Sequence, residues 1–251
     1  MPVPEGKSAR IPEGLRIYAI GDIHGRLDLL KILVDMIEAH EVIGIPSRTV
    51  LVFLGDYIDR GPESSGVIEF LVNWRPQKLE PVFLRGNHED MLVNSFSKPE
   101  VFDLWALNGG AATAHSYGVS FDPYNRREAG AQAIIAQLLA AMPQSHRAFL
   151  ENLPIGVEIG DYLFVHAGVR PGVPLDQQSE SDCLFIRDEF LQFRGDFGKI
   201  VVHGHTPAVE PEVLPNRIGI DTGAVFTGRL TALFLEGDRR AFLTTGPTHW
   251  F

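Results

Sequence analysis

The sequence has almost no cysteine. Cys183 is the one cysteine among 251 residues, so an intrachain disulfide is impossible, and a reducing compartment is favoured. A lone thiol of this kind is more typical of a small buried apolar side chain than of a nucleophile. We therefore assign Cys183 no catalytic role.

Positive charge is also scarce. The chain has 22 Lys and Arg residues against 32 Asp and Glu residues, for a formal net charge of -10. Binding to nucleic acid or to an anionic membrane needs a basic face, so we expect neither partner. A phosphate-processing site on so acidic a protein must draw its positive potential from bound cations and nearby arginines.

Long apolar runs are absent. No stretch reaches the roughly 18 apolar residues that suggest a membrane-spanning helix, and the polar start of the chain lacks the apolar segment of a secretory signal. We therefore expect a cytoplasmic protein. With 45% hydrophobic residues, the chain can bury one substantial core, and we expect residues 1–251 to form a single domain.

What the sequence does contain is a set of five short polar motifs, each placed after an apolar run typical of a β-strand. Asp, Asn and His suit divalent first-row metals, and Arg matches the oxygens of a phosphate. Together the motifs predict a two-metal site for phosphoester chemistry. They are Gly21-Asp22-Ile23-His24-Gly25, Gly55-Asp56-Tyr57-Ile58-Asp59-Arg60-Gly61, Gly86-Asn87-His88-Glu89, His166-Ala167-Gly168 and His203-Gly204-His205.

The spacing of the first three motifs predicts that they converge. Apolar runs at Leu15–Ile20, 49–54 and 81–84 precede them, and helical periodicity at 27–37 and 66–74 lies between the runs. Intervals of about 30 residues are typical of βαβ units. Right-handed crossovers would make the three strands parallel, so their C-terminal ends would share one edge of the sheet.

The rest of the chain divides into a helical part and a strand-rich part. Residues 89–153 are rich in Ala and Leu, with a helical face at 134–142, and predict a helical insert after the third motif. Strands are predicted afterwards, the first two as a hairpin around Gly160-Asp161. The predicted strands are 155–159, Tyr162–Val165, 199–202, 217–220, 230–235 and Arg239–Thr244.

These motifs resemble the calcineurin-like metallophosphoesterases, especially the compact bacterial members of their phosphoprotein-phosphatase branch. The resemblance extends from Ile17 to about Leu235. It implies an α/β fold in which a central β-sandwich, built from βαβ units, is flanked by helices.

The resemblance also implies six metal ligands. Two divalent ions, manganese by family likeness with iron or zinc as alternatives, would turn a bridging water into hydroxide for in-line attack on phosphorus. A neutral amide oxygen among the ligands keeps the site positive for an anionic substrate. The implied ligands are Asp22 and His24 for the first ion, Asp56 between both ions, and Asn87, His166 and His205 for the second ion.

Five further residues carry implied roles in catalysis. His88 resembles the general acid that protonates the leaving oxygen, and Asp59 the carboxylate that orients its ring and favours its protonated form. Arg60 and Arg85 would bind the non-bridging phosphate oxygens with bidentate hydrogen bonds. Arg187 is similar to a third arginine that reaches the phosphate from a distant loop.

His203 has two interpretations. The wider superfamily uses a Gly-His-x-His pair with one ligand for each metal, but the order here supports only His205 as a direct ligand. Positions 203 and 205 of a strand point the same way, so both could face the site. We favour a supporting role for His203 over direct ligation.

The expected activity is metal-dependent hydrolysis of phosphomonoesters without a covalent phosphoenzyme, with a serine/threonine phosphoprotein as first-choice substrate and small phosphoesters as further candidates. The alternative is a symmetrical bis(5'-nucleosyl)-tetraphosphatase, because residues 220–225 and 228–233 resemble that enzyme's pattern. The eukaryotic phosphatases' C-terminal Ser-Ala-Pro-Asn-Tyr segment is missing. A third possibility is an inactive protein-binding scaffold, which the intact set of site residues disfavours.

Overall fold

Two five-stranded sheets form the centre of the computed structural model, which describes residues 9–40, 48–124 and 130–246. Both sheets mix parallel and antiparallel pairs. The strands are β1 (Leu15–Ile20), β2 (Arg48–Phe53), β3 (Leu79–Phe83), β4 (Gly156–Ile159), β5 (Tyr162–Val165), β6 (Ile200–His203), β7 (Glu212–Val213), β8 (Arg217–Gly219), β9 (Thr231–Glu236) and β10 (Arg239–Thr244).

The helices lie between and after the first strands and around the second sheet. A π-helical turn at Ala106–Gly110 and a short 3-10 turn at Leu175–Gln177 accompany them. The α-helices are α1 (Leu27–His40), α2 (Ser64–Asn73), α3 (Asn87–Ser95), α4 (Pro99–Trp105), α5 (Ala111–Ser116), α6 (Ala131–Ala141), α7 (Gln144–Glu151), α8 (Glu180–Phe185), α9 (Asp188–Gln192) and α10 (Ala224–Thr227).

The first sheet has the order β10-β9-β1-β2-β3, and its βαβ part is confirmed. Strands β1 and β2 pair in parallel, as do β2 and β3. Strands β1 and β2 are almost entirely buried, which is typical of strands that are covered on both faces. The loops that carry the first three motifs therefore leave the same edge of this sheet.

The second sheet has the order β4-β5-β6-β8-β7. The predicted hairpin is confirmed, with Ile159 opposite Tyr162 across its turn. Strands β5 and β6 are parallel, so the histidine motifs that follow them also leave from one edge. The two-residue β7 was not predicted, because so short a strand shows no alternation of apolar and polar residues.

Apolar side chains fill the space between the two sheets. Ile17 and Val52 from the first sheet share a buried cluster with Phe164 and Val202 from the second. A larger cluster covers the opposite face of the first sheet, where it packs against α1, α2 and the helical insert. The predicted β-sandwich flanked by helices is thus confirmed.

The helical insert is present with shifted bounds. Helix α3 begins at Asn87, earlier than predicted, because Glu89 accepts a hydrogen bond of 2.9 Å from the backbone N–H of Gly86 and caps the helix. The insert is kinked within the π-helical turn, where Gly109 has a φ of 105°. That the chain forms a single domain stays a prediction.

Candidate dinuclear metal centre

The loops after the parallel strands bring the sequence motifs to one place. Two groups of three buried side chains could each hold a metal ion, with the ligand atoms of each group within 4.8 Å of one another. Asp56 belongs to both groups. One group is His24, Asp56 and His88, and the other is Asp56, His166 and His205.

The carboxylate of Asp56 faces two histidines with its two oxygens. Its Oδ2 lies 3.4 Å from His24 Nε2, and its Oδ1 lies 3.5 Å from His166 Nε2. A carboxylate placed in this way can bridge two cations, one beside each imidazole. The geometry is suited to the bridging role predicted for Asp56.

Hydrogen bonds at Nδ1 turn the Nε2 lone pairs of His24 and His166 towards the cluster. His24 Nδ1 lies 2.8 Å from the carbonyl oxygen of Ile58, and His166 Nδ1 lies 2.9 Å from that of Leu54. A carbonyl only accepts, so each Nδ1 carries the proton and each Nε2 presents a lone pair. Carbonyl oxygens that accept from the Nδ1 of a metal-ligating histidine fix the orientation of its ring.

The position of Asn87 indicates that the side-chain atoms of the site suit a metal ion. Its Oδ1 lies 2.9 Å from His166 Nε2 and 2.9 Å from His205 Nδ1. The oxygen and the unprotonated His166 Nε2 are both acceptors, so they do not stabilise each other directly, whereas a shared cation would satisfy both. The residues present therefore fit the divalent ions that the sequence predicts.

Asp22 is placed differently from the other predicted ligands. Both of its oxygens lie 3.1 Å from the backbone nitrogen of His205, which donates to the carboxylate. Asp22 is not part of either three-residue group. The structure thus brings Asp22 to the motif that contains His205. The role of Asp22 as a ligand stays a prediction.

The electrostatics of the cluster are those of a cation site. Burial raises the pKa of Asp22 and Asp56 well above the usual range, with neighbouring carboxylates acting in the same direction. Burial lowers the pKa of His166 to about 3, and that of His24 well below its ordinary value. Neutral imidazoles beside crowded carboxylates are a set that divalent cations stabilise.

His88 and Asp59 form a buried pair at the edge of the cluster. His88 Nδ1 lies 2.7 Å from Asp59 Oδ2, while the other ring nitrogen, Nε2, lies 3.9 Å from Asp56 Oδ2. The ring therefore turns Nε2 towards the cluster. The other oxygen of Asp59, Oδ1, accepts hydrogen bonds from Thr113 Oγ1 at 2.6 Å and from Trp105 Nε1 at 3.1 Å.

Burial favours the neutral form of both members of this pair. It lowers the pKa of His88 to about 3, with Arg60 and Arg187 adding to the effect. It raises the pKa of Asp59 to about 8, against the hydrogen bonds of Thr113 and Trp105. This differs from the expected imidazolium, but a protonated Asp59 can donate to Nδ1 and leave the proton of a neutral His88 on Nε2.

Two of the three predicted phosphate-binding arginines lie at the cluster. Arg60 Nη1 lies 2.7 Å from His24 Nε2. Arg187 Nη1 donates to Thr206 Oγ1 at 3.2 Å, directly after the ligand candidate His205. The structure therefore brings both guanidinium groups to the mouth of the site.

The guanidinium group of Arg85 makes its contacts outside the metal cluster. Its Nη1 lies 3.7 Å from Asp90 Oδ1, and its Nη2 lies 3.4 Å from the carbonyl oxygen of Glu151. These contacts hold the side chain over the helical insert. The substrate-binding role of Arg85 stays a prediction that needs a change in its orientation.

His203 lies outside both three-residue groups. Its ring packs edge-on against Phe190, with the ring centres 4.9 Å apart, and its Nδ1 lies 3.1 Å from the carbonyl oxygen of Gly204. Burial lowers its pKa to about 4. These contacts favour the supporting role over direct ligation.

The backbone of the site is strained. Five residues other than glycine have a positive φ in the described part of the chain, and all five belong to the predicted site. Such conformations persist only where the surrounding structure enforces them, and they cluster at functional sites. They are His24 (φ 46°), Asp56 (φ 52°), Asp59 (φ 71°), Arg60 (φ 67°) and His205 (φ 63°).

Two glycines are required by close approach. A Cβ atom on Gly204 would lie 2.1 Å from Asp22 Oδ1, and one on Gly86 would lie 2.2 Å from Asp56 Oδ1. Side chains at these positions would displace the carboxylates of the cluster. The glycines of the third and fifth motifs thus make room for two predicted ligands.

Sequence reasoning missed the residues that hold the site in place. Glu89, although part of the third motif, was given no role; it accepts hydrogen bonds from the backbone N–H groups of Asp56 and Tyr57 at 2.8 Å each. It thereby ties the loop after β2 to helix α3. Thr113 and Trp105 come from the helical insert, where no local pattern distinguishes them from packing residues.

Asp221 is another residue that was not singled out. It is buried, its Oδ1 accepts from the backbone N–H of Gly223 at 2.9 Å, and its charge helps to raise the pKa of Asp22. The segment 220–225 was noted only for its family likeness. Its position beside Asp22 places a further carboxylate next to a ligand predicted for the first ion.

Comparison with known families agrees with this geometry. The family model described as "Calcineurin-like phosphoesterase" matches residues 15–228. The chain belongs to the calcineurin-like phosphoesterase family. It is therefore a phosphoester hydrolase whose family membership implies divalent metal ions.

Relatives with assigned activities cover most of the chain. The asymmetrical bis(5'-nucleosyl)-tetraphosphatase PrpE of Anoxybacillus flavithermus is 28% identical over 236 residues, covering 85% of this chain and 88% of that protein. The protein of the same name from Oceanobacillus iheyensis is 28% identical over 235 residues, covering 87% and 88%. These names describe what the calcineurin-like relatives act on.

Solved structures share the fold. A structure assigned as a diadenosine tetraphosphatase matches with a TM-score of 0.63 at 21% identity, covering 96% of both chains. A point mutant of a cold-active protein tyrosine phosphatase matches with a TM-score of 0.55 at 18% identity, covering 96% of this chain and 85% of that one. At these identities the likeness concerns the fold alone.

No helix within the described residues combines the length and the apolar character that crossing a bilayer would require.

Proposed function

We propose that this calcineurin-like phosphoesterase hydrolyses dinucleoside polyphosphates. The sequence favoured a serine/threonine phosphoprotein first and a bis(5'-nucleosyl)-tetraphosphatase second. The Anoxybacillus and Oceanobacillus relatives, which match 85% and 87% of the chain, carry the tetraphosphatase name, so the second interpretation has the stronger support. Their name specifies asymmetrical cleavage, whereas the sequence pattern had suggested the symmetrical kind.

The observation that carries the chemistry is the position of Asp56 between two histidine groups. Its two oxygens face His24 and His166, as a ligand shared by two cations would. Divalent ions held there would supply an activated nucleophile and would stabilise charge on the phosphoryl oxygens. We propose Asp22, His24, Asp56, Asn87, His166 and His205 as their ligands.

The remaining residues act on the substrate. Arg60 and Arg187 are placed to bind the non-bridging oxygens of the polyphosphate, since guanidinium groups match two oxygens at once. His88 presents Nε2 to the cluster and is positioned to protonate the departing phosphate oxygen, while Asp59 fixes the ring through Nδ1. The acidic surface makes these local positive charges necessary.

A substrate panel tests the proposal. The purified protein is loaded with manganese, and kcat/KM is measured with diadenosine tetraphosphate, a phosphoserine peptide, a phosphotyrosine peptide and p-nitrophenyl phosphate. We expect the highest value with the dinucleotide. Chromatography of its products identifies the cleavage, with ATP and AMP from asymmetrical attack and two ADP molecules from symmetrical attack.

The other outcomes are equally specific. Turnover of the phosphoserine peptide alone would replace our proposal by the phosphoprotein phosphatase. No turnover of any substrate after reconstitution with manganese, iron and zinc in turn would indicate a scaffold. The Asp56→Asn variant is the control, because an amide cannot bridge two ions through two anionic oxygens, and it should lack activity on every substrate.

A further inference from the structure

An exposed aromatic side chain follows the turn that adjoins Asp221 and the metal centre. Phe226 is 74% exposed, on the short helix α10. Single apolar side chains are commonly exposed on protein surfaces and need no functional explanation by themselves. Here the position, rather than exposure alone, indicates a function.

The turn that carries Phe226 is joined to the site by hydrogen bonds. The backbone N–H of Gly223 donates to Asp221 Oδ1 at 2.9 Å, and the N–H of Ala208 donates to the carbonyl oxygen of Asp221 at 3.0 Å. Asp221 in turn lies close enough to Asp22 to raise its pKa. The loop after His205 and the turn before Phe226 are therefore neighbours at the mouth of the cluster.

The turn is also held rigidly. Arg26 Nη1 donates to the carbonyl oxygen of Ala224 at 2.8 Å, and Thr227 Oγ1 donates to that of Thr222 at 2.7 Å. Ala224 is buried beneath the turn. The aromatic ring of Phe226 is thus presented to solvent from a fixed backbone, which reduces the entropy lost when a ligand binds to it.

The ring of Phe226 has a second apolar side chain beside it. A Cβ atom on Gly223 would lie 3.7 Å from Pro207 and 3.8 Å from the ring of Phe226, so both side chains border the same surface. Val209, two residues after Pro207, is a further apolar side chain that is 73% exposed. On the side of the metal cluster, Arg187 donates to Thr206 Oγ1 and supplies a cation for phosphate.

We propose that Phe226 is a specificity-determining residue that stacks on one nucleobase of a dinucleoside polyphosphate whose phosphates lie at Arg187 and the metal centre. This inference rests on the proposed function. A nucleobase and an aromatic ring stack through their flat faces without sequence-specific hydrogen bonds. The acidic protein thus gains binding energy from the uncharged end of an anionic substrate.

The test compares substrates with and without bases. We measure kcat and KM of Phe226→Ala with diadenosine tetraphosphate and with inorganic tetraphosphate. We expect KM for the dinucleotide to rise about tenfold, the loss of one stacked base, with kcat little changed. Inorganic tetraphosphate should be cleaved as by the wild-type protein.

Further variants separate stacking from folding. Phe226→Trp should keep a wild-type KM, whereas Phe226→Leu should resemble the alanine variant, because leucine offers apolar surface without a flat ring. Phe242→Ala, which removes an exposed ring from β10, is the matched control and should leave both substrates unaffected. Equal losses on both tetraphosphates would show that Phe226 only supports the turn, and would overturn the inference.

Failure of the inference differs from failure of the proposed function. Rapid dinucleotide cleavage by the wild-type protein with an unchanged KM in Phe226→Ala would overturn the stacking role alone. A wild-type protein that cleaves phosphoserine peptide but not the dinucleotide would overturn both.

Discussion

His88 Nδ1 and Asp59 Oδ2 lie 2.7 Å apart in the interior of the protein. The contact fixes the plane of the imidazole and leaves Nε2 as the atom that faces the metal cluster. Since Asp59 is itself held by Thr113 and Trp105, the helical insert determines the orientation of a proposed catalytic side chain.

The first prediction concerns the proton that His88 donates. Because His88 is not among the six proposed ligands, the His88→Ala variant should keep its full metal content. It should lose about 10²- to 10⁴-fold in kcat on a phosphoserine peptide or another ester with a poor leaving group. It should lose much less on p-nitrophenyl phosphate, whose leaving group needs no proton. Elemental analysis and kinetics with both esters check this, and equal losses would argue against the acid role.

The second prediction concerns Thr113. Thr113→Val keeps the shape of the side chain but removes the hydroxyl that donates to Asp59 Oδ1 and accepts from the backbone N–H of Asp59. We expect a loss of about 1–3 kcal/mol in the free energy of unfolding, and a lower kcat on poor leaving groups. Denaturant titration and kinetics measure the two effects.

A matched threonine distinguishes these effects. Thr245 is buried like Thr113 and accepts a hydrogen bond of 2.8 Å from the backbone N–H of Leu230, away from the cluster. Thr245→Val should lower stability without changing kcat. If it lowers kcat as much as Thr113→Val does, the effect at Thr113 is a general one of stability.

The third prediction concerns Glu89. Glu89→Gln replaces one of two accepting oxygens by an amide that cannot accept, so a backbone N–H of Asp56, Tyr57 or Gly86 loses its partner. We expect a loss of about 1–3 kcal/mol in the free energy of unfolding and weaker metal binding. Glu80→Gln, at an exposed ion pair with Arg48, should leave the free energy of unfolding almost unchanged, because solvent screens exposed ion pairs.

The fourth prediction concerns Cys183. Burial raises the pKa of its thiol to about 11, so at pH 8 only on the order of one molecule in a thousand carries the reactive thiolate. Iodoacetamide should label the native protein slowly at pH 8 and quickly after unfolding. Mass spectrometry measures the labelling, and rapid modification of the native protein would contradict the packing.

The parallel strands and the meeting of the motifs were predictable from the sequence. Both depend on local patterns, namely apolar runs, helical periodicity and intervals typical of βαβ units, which determine the sheet edge where Asp22, Asp56 and Asn87 meet. The resemblance to a family then implied the ligands and the acid. These parts of the site are short in sequence and carry distinctive residue types.

The supporting contacts were not predictable. Thr113 and Trp105 reach Asp59 across about 50 residues, and a threonine or tryptophan in a helix carries no sign of such a partner. The positive φ angles of Asp56 and Arg60 also leave no trace in the sequence, since glycine is the residue that normally marks this conformation. Only tertiary structure places these residues.

The position of β9 bears on how the protein is made. This strand pairs with β1, with Ile17 opposite Leu235. One side of β1 therefore lacks its hydrogen-bonding partner until β9 has left the ribosome. Residues 205 and 22 likewise join only at that stage, through the backbone of His205 and the carboxylate of Asp22. Nascent chains should therefore be exposed to aggregation during translation and should depend on chaperones more than proteins whose central strands pair with close sequence neighbours.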